Sequence, residues 1–228
     1  MKQVFIKKDN NTSVFLLFGG WGTSPELFAG YEIKHGYDFM LCYDYRDLDF
    51  DVSLLDGYDN VVPLAWSMGV WAYSYIMGKF DTDWKPCTAI GGTPFPIDDT
   101  KGIPEAVFHG TLDGMSVPVL HKFRRRMCRR ELEHFMSHLP QRNIVDLKEE
   151  LAAIESFVRI YGEGMEVCPG LWEKAVAGDA DLIFPVANQV NAWKETGVPV
   201  VIADAAHYSS GIFQQLLLGK EVNKSNVV

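Results

Sequence analysis

Short runs of consecutive apolar residues recur along the chain, and small or polar residues follow most of them. The runs cover residues 14–18, 39–43, 61–65, 88–92, 174–177 and 198–202. Hydrophobicity that is continuous rather than alternating is typical of strands buried on both faces, as in a parallel sheet. Helical stretches separate several of these runs. The pattern therefore predicts an α/β fold with a mostly parallel central sheet.

The middle of the chain has a different pattern. Residues from about 93 to 164 carry more charge and favour helices. The segment Asp146-Leu147-Lys148-Glu149 resembles a capping box with Asp146 as the cap. Apolar residues then recur at helical spacing, at Leu147, Leu151, Ile154, Phe157, Val158 and Tyr161. We expect this stripe to pack rather than to bind a cofactor. The division that follows is an α/β core, 1–93 and 165–228, with a helical cap insertion, 94–164.

Length and composition limit the classes of protein. With 228 residues, 47% of them hydrophobic, the chain suffices for one domain with a large core and an insertion. The net charge of −9 and the pI of about 5.1 disfavour nucleic acids and anionic membranes as partners. No apolar run reaches the roughly 18 residues of a membrane span, and the first residues do not resemble a signal peptide.

The four cysteines, Cys42, Cys87, Cys128 and Cys168, lie far apart without paired spacing. This favours reduced thiols and a cytoplasmic location over disulfides or a zinc site. Cys42 and Cys87 lie in or near apolar runs, so we expect them in the core. The sequence shows no convincing cluster of metal ligands, and we expect neither a metal nor an organic cofactor.

The tetrapeptide Trp66-Ser67-Met68-Gly69 follows one apolar run and precedes a helix-like stretch. At such a bend a serine hydroxyl can stand above the sheet, while the glycine two residues later lets the helix approach the strand. This is the physical basis of the Gly-x-Ser-x-Gly nucleophile elbow. Ala65 replaces the first glycine and is small enough to keep the crossing tight. The pattern predicts Ser67 as a nucleophile; the alternative is a serine that merely occupies a turn.

A serine nucleophile needs a general base, and the base needs a carboxylate that orients it. In strand–serine–helix hydrolases the chain order is Ser, Asp or Glu, His. His207 follows the last apolar run and Asp181 follows the one before it. Both then lie at the carboxyl ends of parallel strands, where such sheets bind ligands. Asp179, a possible turn former, and Asp204, a possible brace of the loop, remain alternatives to Asp181.

A tetrahedral intermediate also needs donors for its oxyanion. In this architecture they are the backbone N–H of the residue after the serine, here Met68, and one from the loop after an early strand. The glycine-rich segment 18–22 supplies that loop, and we expect Trp21 to be the donor. A plain turn or a phosphate cradle is the alternative, although the Walker and dinucleotide-binding patterns are both absent.

With these residues in place, the chain resembles the α/β-hydrolase superfamily, and more narrowly the BioG-type pimeloyl-acyl-carrier-protein methyl ester esterases of biotin synthesis. The resemblance covers almost the full length and rests on segments 18–22, 65–69, 90–94, 123–128, 181–189 and 206–208. It implies hydrolysis of the methyl ester at the distal end of a pimeloyl chain carried on acyl carrier protein. A long apolar channel would hold that ester at the serine, with Trp66, Met68 and Phe95 as expected walls.

Residues 122–130 carry six positive charges and no acidic residue. Acyl carrier proteins are acidic and their prosthetic arm bears a phosphate, and the forked guanidinium suits both targets. We therefore expect a carrier-docking role for some members of this cluster. The candidates are Arg124, Arg125, Arg126, Arg129 and Arg130. The alternative is a solvated helix face whose arginines pair with Glu131, Glu133, Glu149 and Glu150.

The same scaffold also serves other activities. A short-chain carboxylesterase or thioesterase is the first functional alternative, and a non-catalytic protein with a hydrolase fold is the second.

Overall fold

The computed structural model describes residues 1–80, 82–161, 170–222 and 226–227. Within these ranges one sheet has the strand order β1-β3-β2-β4-β5-β6-β7-β8. The strands are β1 (Lys2–Lys7), β2 (Ser13–Phe18), β3 (Tyr37–Tyr43), β4 (Asn60–Trp66), β5 (Cys87–Ile90), β6 (Trp172–Gly178), β7 (Val200–Ala203) and β8 (Asn226–Val227). Strands β2 to β7 are parallel, and β1 and β8 pair antiparallel at the two edges. The mostly parallel sheet is therefore confirmed.

Helices connect the parallel strands. They are α1 (Met68–Met77), α2 (Glu105–Asp113), α3 (Val117–Cys128), α4 (Leu132–Ser137), α5 (Ile144–Tyr161), α6 (Val186–Thr196) and α7 (Ser210–Leu217). Short 3₁₀ turns cover Pro25–Phe28, Val52–Leu55 and Arg129–Glu131. Helix α1 packs on β2 and β4, and α6 packs on β6.

The apolar runs are continuous because the central strands have both faces covered. Leu16, Leu17 and Phe18 follow one another in β2, and all three are fully buried. Side chains of successive strand residues point to opposite faces, so each face must pack against other elements. The edge strands lacked this signal: β1 is largely half-buried and begins and ends with lysine, and β8 has two residues.

The segment between β5 and β6 contains α2 to α5. The apolar stripe of α5 packs as expected, since Leu147, Leu151 and Ile154 are buried, and Phe157 and Val158 pack partly buried against the core. The side chain of Tyr161 lies outside the described residues.

The capping box at Asp146 is wrong. Helix α5 begins at Ile144, and Asp146 lies in its first turn, where its N–H donates to Asn143 Oδ1 at 2.9 Å. Asparagine thus fills the role that we expected of the aspartate. The division into core and cap remains a proposal, and its boundary at residues 164 and 165 falls outside the described residues.

Candidate active site

Ser67 lies at the bend between β4 and α1. Its backbone has φ 57° and ψ −125°, a strained conformation for a residue with a side chain. Gly69 explains the tightness of the bend, because a Cβ at this position would lie 2.1 Å from the carbonyl oxygen of Phe18 in β2. The strand-to-helix elbow expected from the sequence is therefore present.

The structure brings Ser67, His207 and Asp181 together from three different loops. His207 Nε2 lies 2.9 Å from Ser67 Oγ, and His207 Nδ1 lies 2.8 Å from Asp181 Oδ2. All three residues are buried. The ring of Phe184 stacks on the imidazole with centroids 5.8 Å apart, and the carbonyl of His207 accepts a hydrogen bond from Trp66 Nε1 at 3.0 Å. This order of contacts is that of a nucleophile, a base and an orienting carboxylate.

The two alternative carboxylates lie elsewhere. Asp179 Oδ1 accepts the N–H of Ala205 at 3.3 Å and so braces the loop before the histidine. Asp204 has a side chain that is 72% exposed and pairs with Arg130. Among these three aspartates, Asp181 has the geometry to orient His207.

The carboxylate of Asp181 is held by four donors. Its Oδ1 accepts the N–H groups of Ile183 at 2.7 Å and Phe184 at 2.9 Å. Its Oδ2 accepts Gln189 Nε2 at 3.0 Å besides the imidazole. Sequence reasoning assigned no role to Gln189. A signal was available, because this polar residue shares the buried face of α6 with Ala192 and Trp193, three and four positions later.

Both expected oxyanion donors border the serine. Met68 is the first residue of α1 and directly follows Ser67, so its N–H belongs to the helical turn that lacks an internal acceptor. The loop that carries Trp21 lies against the same serine, since a Cβ on Gly20 would be 3.0 Å from Ser67 Cβ. Within the described residues neither the Trp21 nor the Met68 backbone N–H donates a hydrogen bond. Both are therefore available to a ligand oxygen.

A narrow apolar cavity opens at the serine. The cavity has a volume of about 30 Å³. Its lining combines the loop of Gly20 and Trp21 with Trp66, Ser67, Met68, Ile103, Val107, Phe108, Thr111, Phe123, Arg126, Met127, Leu151, Ile183 and His207. Trp66 and Met68, two of the expected walls of the substrate channel, both line this cavity.

The expectation that Phe95 also forms a wall is wrong. This residue is not in the lining; its ring lies 4.9 Å from the ammonium of Lys101. Thr93 Oγ1 accepts the N–H of Phe95 and donates to its carbonyl and to that of Lys101. These bonds fold the loop on itself, so the chain reaches the cavity later, at Ile103.

The cap anchors the loop that carries Trp21. Trp21 Nε1 donates to the carbonyl of Leu147 in α5 at 2.8 Å, and its ring packs edge-on against Phe123 in α3 at 4.9 Å. Next to it, the N–H of Gly22 donates to Glu150 Oε2 at 3.3 Å. Sequence reasoning gave Glu150 no part in the site.

Glu150 is fully buried between two loops of the core. Besides Gly22, it accepts the N–H of Tyr45 at 3.0 Å and Arg142 Nη1 at 2.6 Å, and Arg142 also pairs with Asp44 at 3.0 Å. Burial raises the pKa of Glu150, and the guanidinium and the two N–H groups oppose this only in part. The carboxyl group thus joins the cap to the loop beside the serine.

A basic groove adjoins the cavity. It has a volume of about 1140 Å³, and its cations are His121, when protonated, Lys122, Arg125, Arg126, Arg129 and Arg130. Arg126 lines both the groove and the cavity and donates to the carbonyl of Leu182 at 2.7 Å. Arg126 is therefore a wall that the groove and the cavity share.

The expectation that Arg124 belongs with this set is not met. Arg124 is half-buried on the other side of α3, in a small cavity with Trp21 and Leu147, and burial lowers its pKa. A solvated helix face was the alternative for this cluster, with ion pairs from its five arginines to Glu131, Glu133, Glu149 and Glu150. Within the described residues, none of these ion pairs forms. Glu149 and Glu150 bind Arg46 and Arg142, and Glu131 accepts the N–H of Ser210. In the part of the chain that the structure describes, Arg130–Asp204 is thus the only ion pair made by a cation of the groove.

The described part of the chain holds no cluster of three metal-ligating side chains. No helix in those residues has the length and hydropathy to cross a bilayer. Cys42, Cys87 and Cys128 are buried free thiols, while Cys168 is not among the described residues.

The mostly parallel sheet, the elbow at Ser67 and the helices between β5 and β6 define the α/β-hydrolase fold. An esterase from Exiguobacterium antarcticum shares this fold, with a TM-score of 0.62 over 96% of this chain and 93% of its own, at 12% identity. The chain belongs to the BioG family: the model described as pimeloyl-ACP methyl esterase BioG matches residues 1–216. The crystal structure of BioG from Haemophilus influenzae has a TM-score of 0.83 and 32% identity, covering 94% of this chain and 97% of that one.

A longer protein is also similar. The malonyl-[acyl-carrier protein] O-methyltransferase of Bacteroides fragilis (strain 638R) is 43% identical over 204 residues, which are 89% of this chain. The chain spans 41% of that relative's length. Its name therefore describes a protein of which this chain resembles one part.

Proposed function

We propose that this protein is a serine esterase that hydrolyses the methyl ester of pimeloyl-acyl carrier protein in biotin synthesis. One observation carries the proposal: the series Ser67–His207–Asp181, with contacts of 2.9 and 2.8 Å, at an apolar cavity that meets a basic groove. Membership of the BioG family supports the choice of substrate. The proposal includes a cytoplasmic location, which suits the three free thiols.

The first half of the reaction forms an acyl-enzyme. Ser67 Oγ attacks the ester carbonyl carbon while His207 Nε2 accepts the hydroxyl proton, and Asp181 stabilises the resulting imidazolium. The carbonyl oxygen becomes an anion that the N–H groups of Trp21 and Met68 stabilise. When the tetrahedral intermediate collapses, the imidazolium gives its proton to the methoxy oxygen and methanol leaves.

The second half releases the acid. His207 accepts a proton from a water molecule, whose oxygen attacks the acyl carbon. Collapse of the second intermediate returns the proton to Ser67 Oγ and leaves a free carboxylate on the acyl chain. No step requires a metal or an organic cofactor.

Selectivity follows from position rather than reactivity. The thioester that joins the chain to its carrier is the more labile bond, so the protein must keep it away from Ser67. With the carrier held at the groove and the acyl chain in the cavity, the distal ester reaches the serine while the thioester stays outside. The apolar walls suit the methylene chain, and the arginines of the groove suit an acidic carrier and its phosphate.

Mass spectrometry of the carrier-bound substrate tests the reaction. Pimeloyl-carrier methyl ester is incubated with the wild type and with Ser67→Ala. We expect the loss of one methyl group, with the thioester intact, from the wild type alone. A panel of p-nitrophenyl esters and acyl thioesters tests the general esterase and thioesterase alternatives. Higher kcat/KM on those compounds than on the carrier-bound methyl ester would refute the proposed substrate.

A fluorophosphonate probe separates the enzyme from a non-catalytic protein of the same fold. We expect labelling of the wild type and none of Ser67→Ala. Failure of a folded wild type to react would refute the esterase proposal.

Charge reversal tests the docking surface. Arg125 and Arg129 are exposed, line the groove and form no ion pair in the described residues. We expect Arg125→Glu with Arg129→Glu to lower kcat/KM on the carrier-bound ester at least tenfold while sparing a small soluble ester. The matched control reverses Lys148 and Arg159, exposed cations of α5 outside the groove. Equal losses on both substrates, or equal losses in the control, would refute docking at the groove.

The name of the Bacteroides relative suggests the opposite chemistry, addition of a methyl group. An activated serine beside an oxyanion site suits acyl transfer, whereas methyl transfer to a carboxylate needs a bound methyl donor. We therefore propose that this chain removes the methyl group. Incubating the free pimeloyl-carrier acid with S-adenosylmethionine should give no methyl ester; formation of the ester would favour the transferase.

A further inference from the structure

Gln189 contacts the carboxylate of Asp181 within the buried part of the site. Its side chain is buried in α6, with 1% of the residue exposed. The Nε2 group donates to Asp181 Oδ2 at 3.0 Å and to the carbonyl of Phe184 at 2.8 Å. Its Oε1 is buried without a hydrogen-bond partner in the described residues.

The orientation of this amide is fixed by its neighbours. Asp181 Oδ2 and the Phe184 carbonyl are both acceptors, so the group facing them must be the one with two N–H bonds. A rotated amide would place Oε1 against a carboxylate and a carbonyl oxygen. Oε1 therefore has no partner because both N–H bonds of the amide are directed at Asp181 and Phe184.

Such an oxygen is unfavourable for the folded state, because it has lost its hydrogen bonds to water and gained none. A buried group without a partner needs an explanation. Leucine or methionine would fill the same volume without that cost. The unpaired oxygen thus has a cost at the point where the amide contacts the carboxylate of the site.

We propose that Gln189 is a positioning residue for Asp181, which sets the carboxylate so that Oδ2 faces His207. This inference rests on the proposed function. The amide links Oδ2 to the Phe184 carbonyl in the same loop, while Oδ1 is held by the N–H groups of Ile183 and Phe184. With three of its four hydrogen bonds fixed by the loop and α6, the carboxylate cannot turn away when the imidazole becomes charged. The effect on the reaction is then on kcat rather than on KM.

A purely structural role makes a different prediction. If the amide only clamps α6 to the loop through Phe184, its loss lowers stability, and activity falls only because less protein is folded. If it positions Asp181, its loss also slows the reaction of Ser67 in the protein that remains folded.

The test uses Gln189→Leu and Gln189→Met, with Asn188→Leu as the matched control. Asn188 is the buried neighbour whose Nδ2 donates to the carbonyls of Asp99 and Gly102, away from the site. The readouts are the rate of fluorophosphonate labelling of Ser67, the kcat and KM on a soluble ester, and the melting temperature. Labelling reports the reactivity of Ser67 whatever the natural substrate is. The role of Gln189 can therefore be refuted while the proposed ester stands, and the proposed ester can be refuted while the role of Gln189 stands.

For the two Gln189 variants we expect labelling and kcat of the folded protein to fall roughly ten- to a hundredfold, with KM within twofold, and the melting temperature to fall no further than in Asn188→Leu, because both changes remove two hydrogen bonds to buried acceptors. For Asn188→Leu we expect a lower melting temperature and a near wild-type labelling rate. Wild-type labelling by Gln189→Leu would overturn the proposal. Equal falls in the labelling rate of folded Gln189→Leu, Gln189→Met and Asn188→Leu would also overturn it, because the loss would then follow from weaker packing of α6 and not from the contact with Asp181.

Discussion

The bonds of Glu150 make it the residue whose replacement best tests how the cap is joined to the core. In Glu150→Gln one oxygen becomes an NH₂ group, so at least one of the N–H bonds from Gly22 and Tyr45 is lost. Arg142 also loses the charge that it faces at 2.6 Å while its side chain stays 95% buried. Removing one partner of a buried ion pair costs about 3–5 kcal/mol. For a chain of this size each kcal/mol lowers the melting temperature by about 2–4 °C, so we expect a fall of about 10 °C.

Glu149→Gln is the control for this experiment. Glu149 is the preceding residue of the same helix, its side chain is 57% exposed, and it contacts Arg46 at 3.1 Å. An exposed pair of this kind contributes at most about 1 kcal/mol, so the melting temperature should change by no more than about 3 °C. Scanning calorimetry of both variants gives the comparison. Equal melting temperatures for Glu150→Gln and the wild type would refute the reasoning, because they would mean that Glu150 is already neutral in the folded protein.

Three further predictions follow from the same contacts. In Gly69→Ala the new Cβ would meet the Phe18 carbonyl at 2.1 Å. We therefore expect the free energy of unfolding, measured in urea, to fall by about 3 kcal/mol, and we expect no fluorophosphonate labelling. Normal labelling would contradict the elbow. Trp21→Phe removes the indole N–H that donates to the Leu147 carbonyl. We expect about 1–3 kcal/mol of destabilisation and a larger change in kcat than in KM. An unchanged kcat would argue against anchoring of this loop. Burial alone would raise the pKa of Asp44, but hydrogen bonds and charges from Arg46, Arg142 and Lys2 outweigh it and lower the pKa from 3.8 to about 2. Its contribution of about 2 kcal/mol is therefore present above pH 4 and lost as the pH falls towards 2, and unfolding curves of Asp44→Asn should lack this part of the pH dependence.

The parts of the fold that the sequence predicted are those with a local cause. Strands buried on both faces must be apolar at every position, as in residues 14–18, and this leaves a continuous run that can be read directly. An edge strand such as β1 meets no such requirement, because its side chains are only half-buried or exposed. The cap of α5 was misplaced by three residues for a related reason, since Asn143 and Asp146 are both good caps and only the folded backbone decides between them.

In the candidate site, too, the residues predicted correctly are those whose position has a local cause. Ser67 could be found because its elbow is built from adjacent residues, and His207 and Asp181 because both follow strands whose ends meet at one edge of the sheet. Phe95 was misplaced because the Thr93 side chain folds its loop away from the cavity. Arg124 was grouped with its neighbours because sequence proximity does not reveal which side of a helix faces the core.

The residues that support the site left the weakest signal, and the reason is physical. Glu150 contacts Gly22 and Tyr45 across 128 and 105 positions of sequence. Its place three residues after Leu147 and four before Ile154 puts it on the buried face of α5, but no local pattern reveals its partners. Trp21 depends on Leu147 and Phe123 in the same way, and its two contacts join the loop after β2 to α5 and α3. The cap therefore does more than cover the cavity: α5 fixes the loop from which one of the proposed oxyanion donors projects. If segment 94–164 were exchanged for that of another protein with this fold, we expect Ser67, His207 and Asp181 to stay in place but fluorophosphonate labelling of Ser67 to slow, unless the new segment brought the carboxylate of Glu150 and the carbonyl of Leu147 to the same positions.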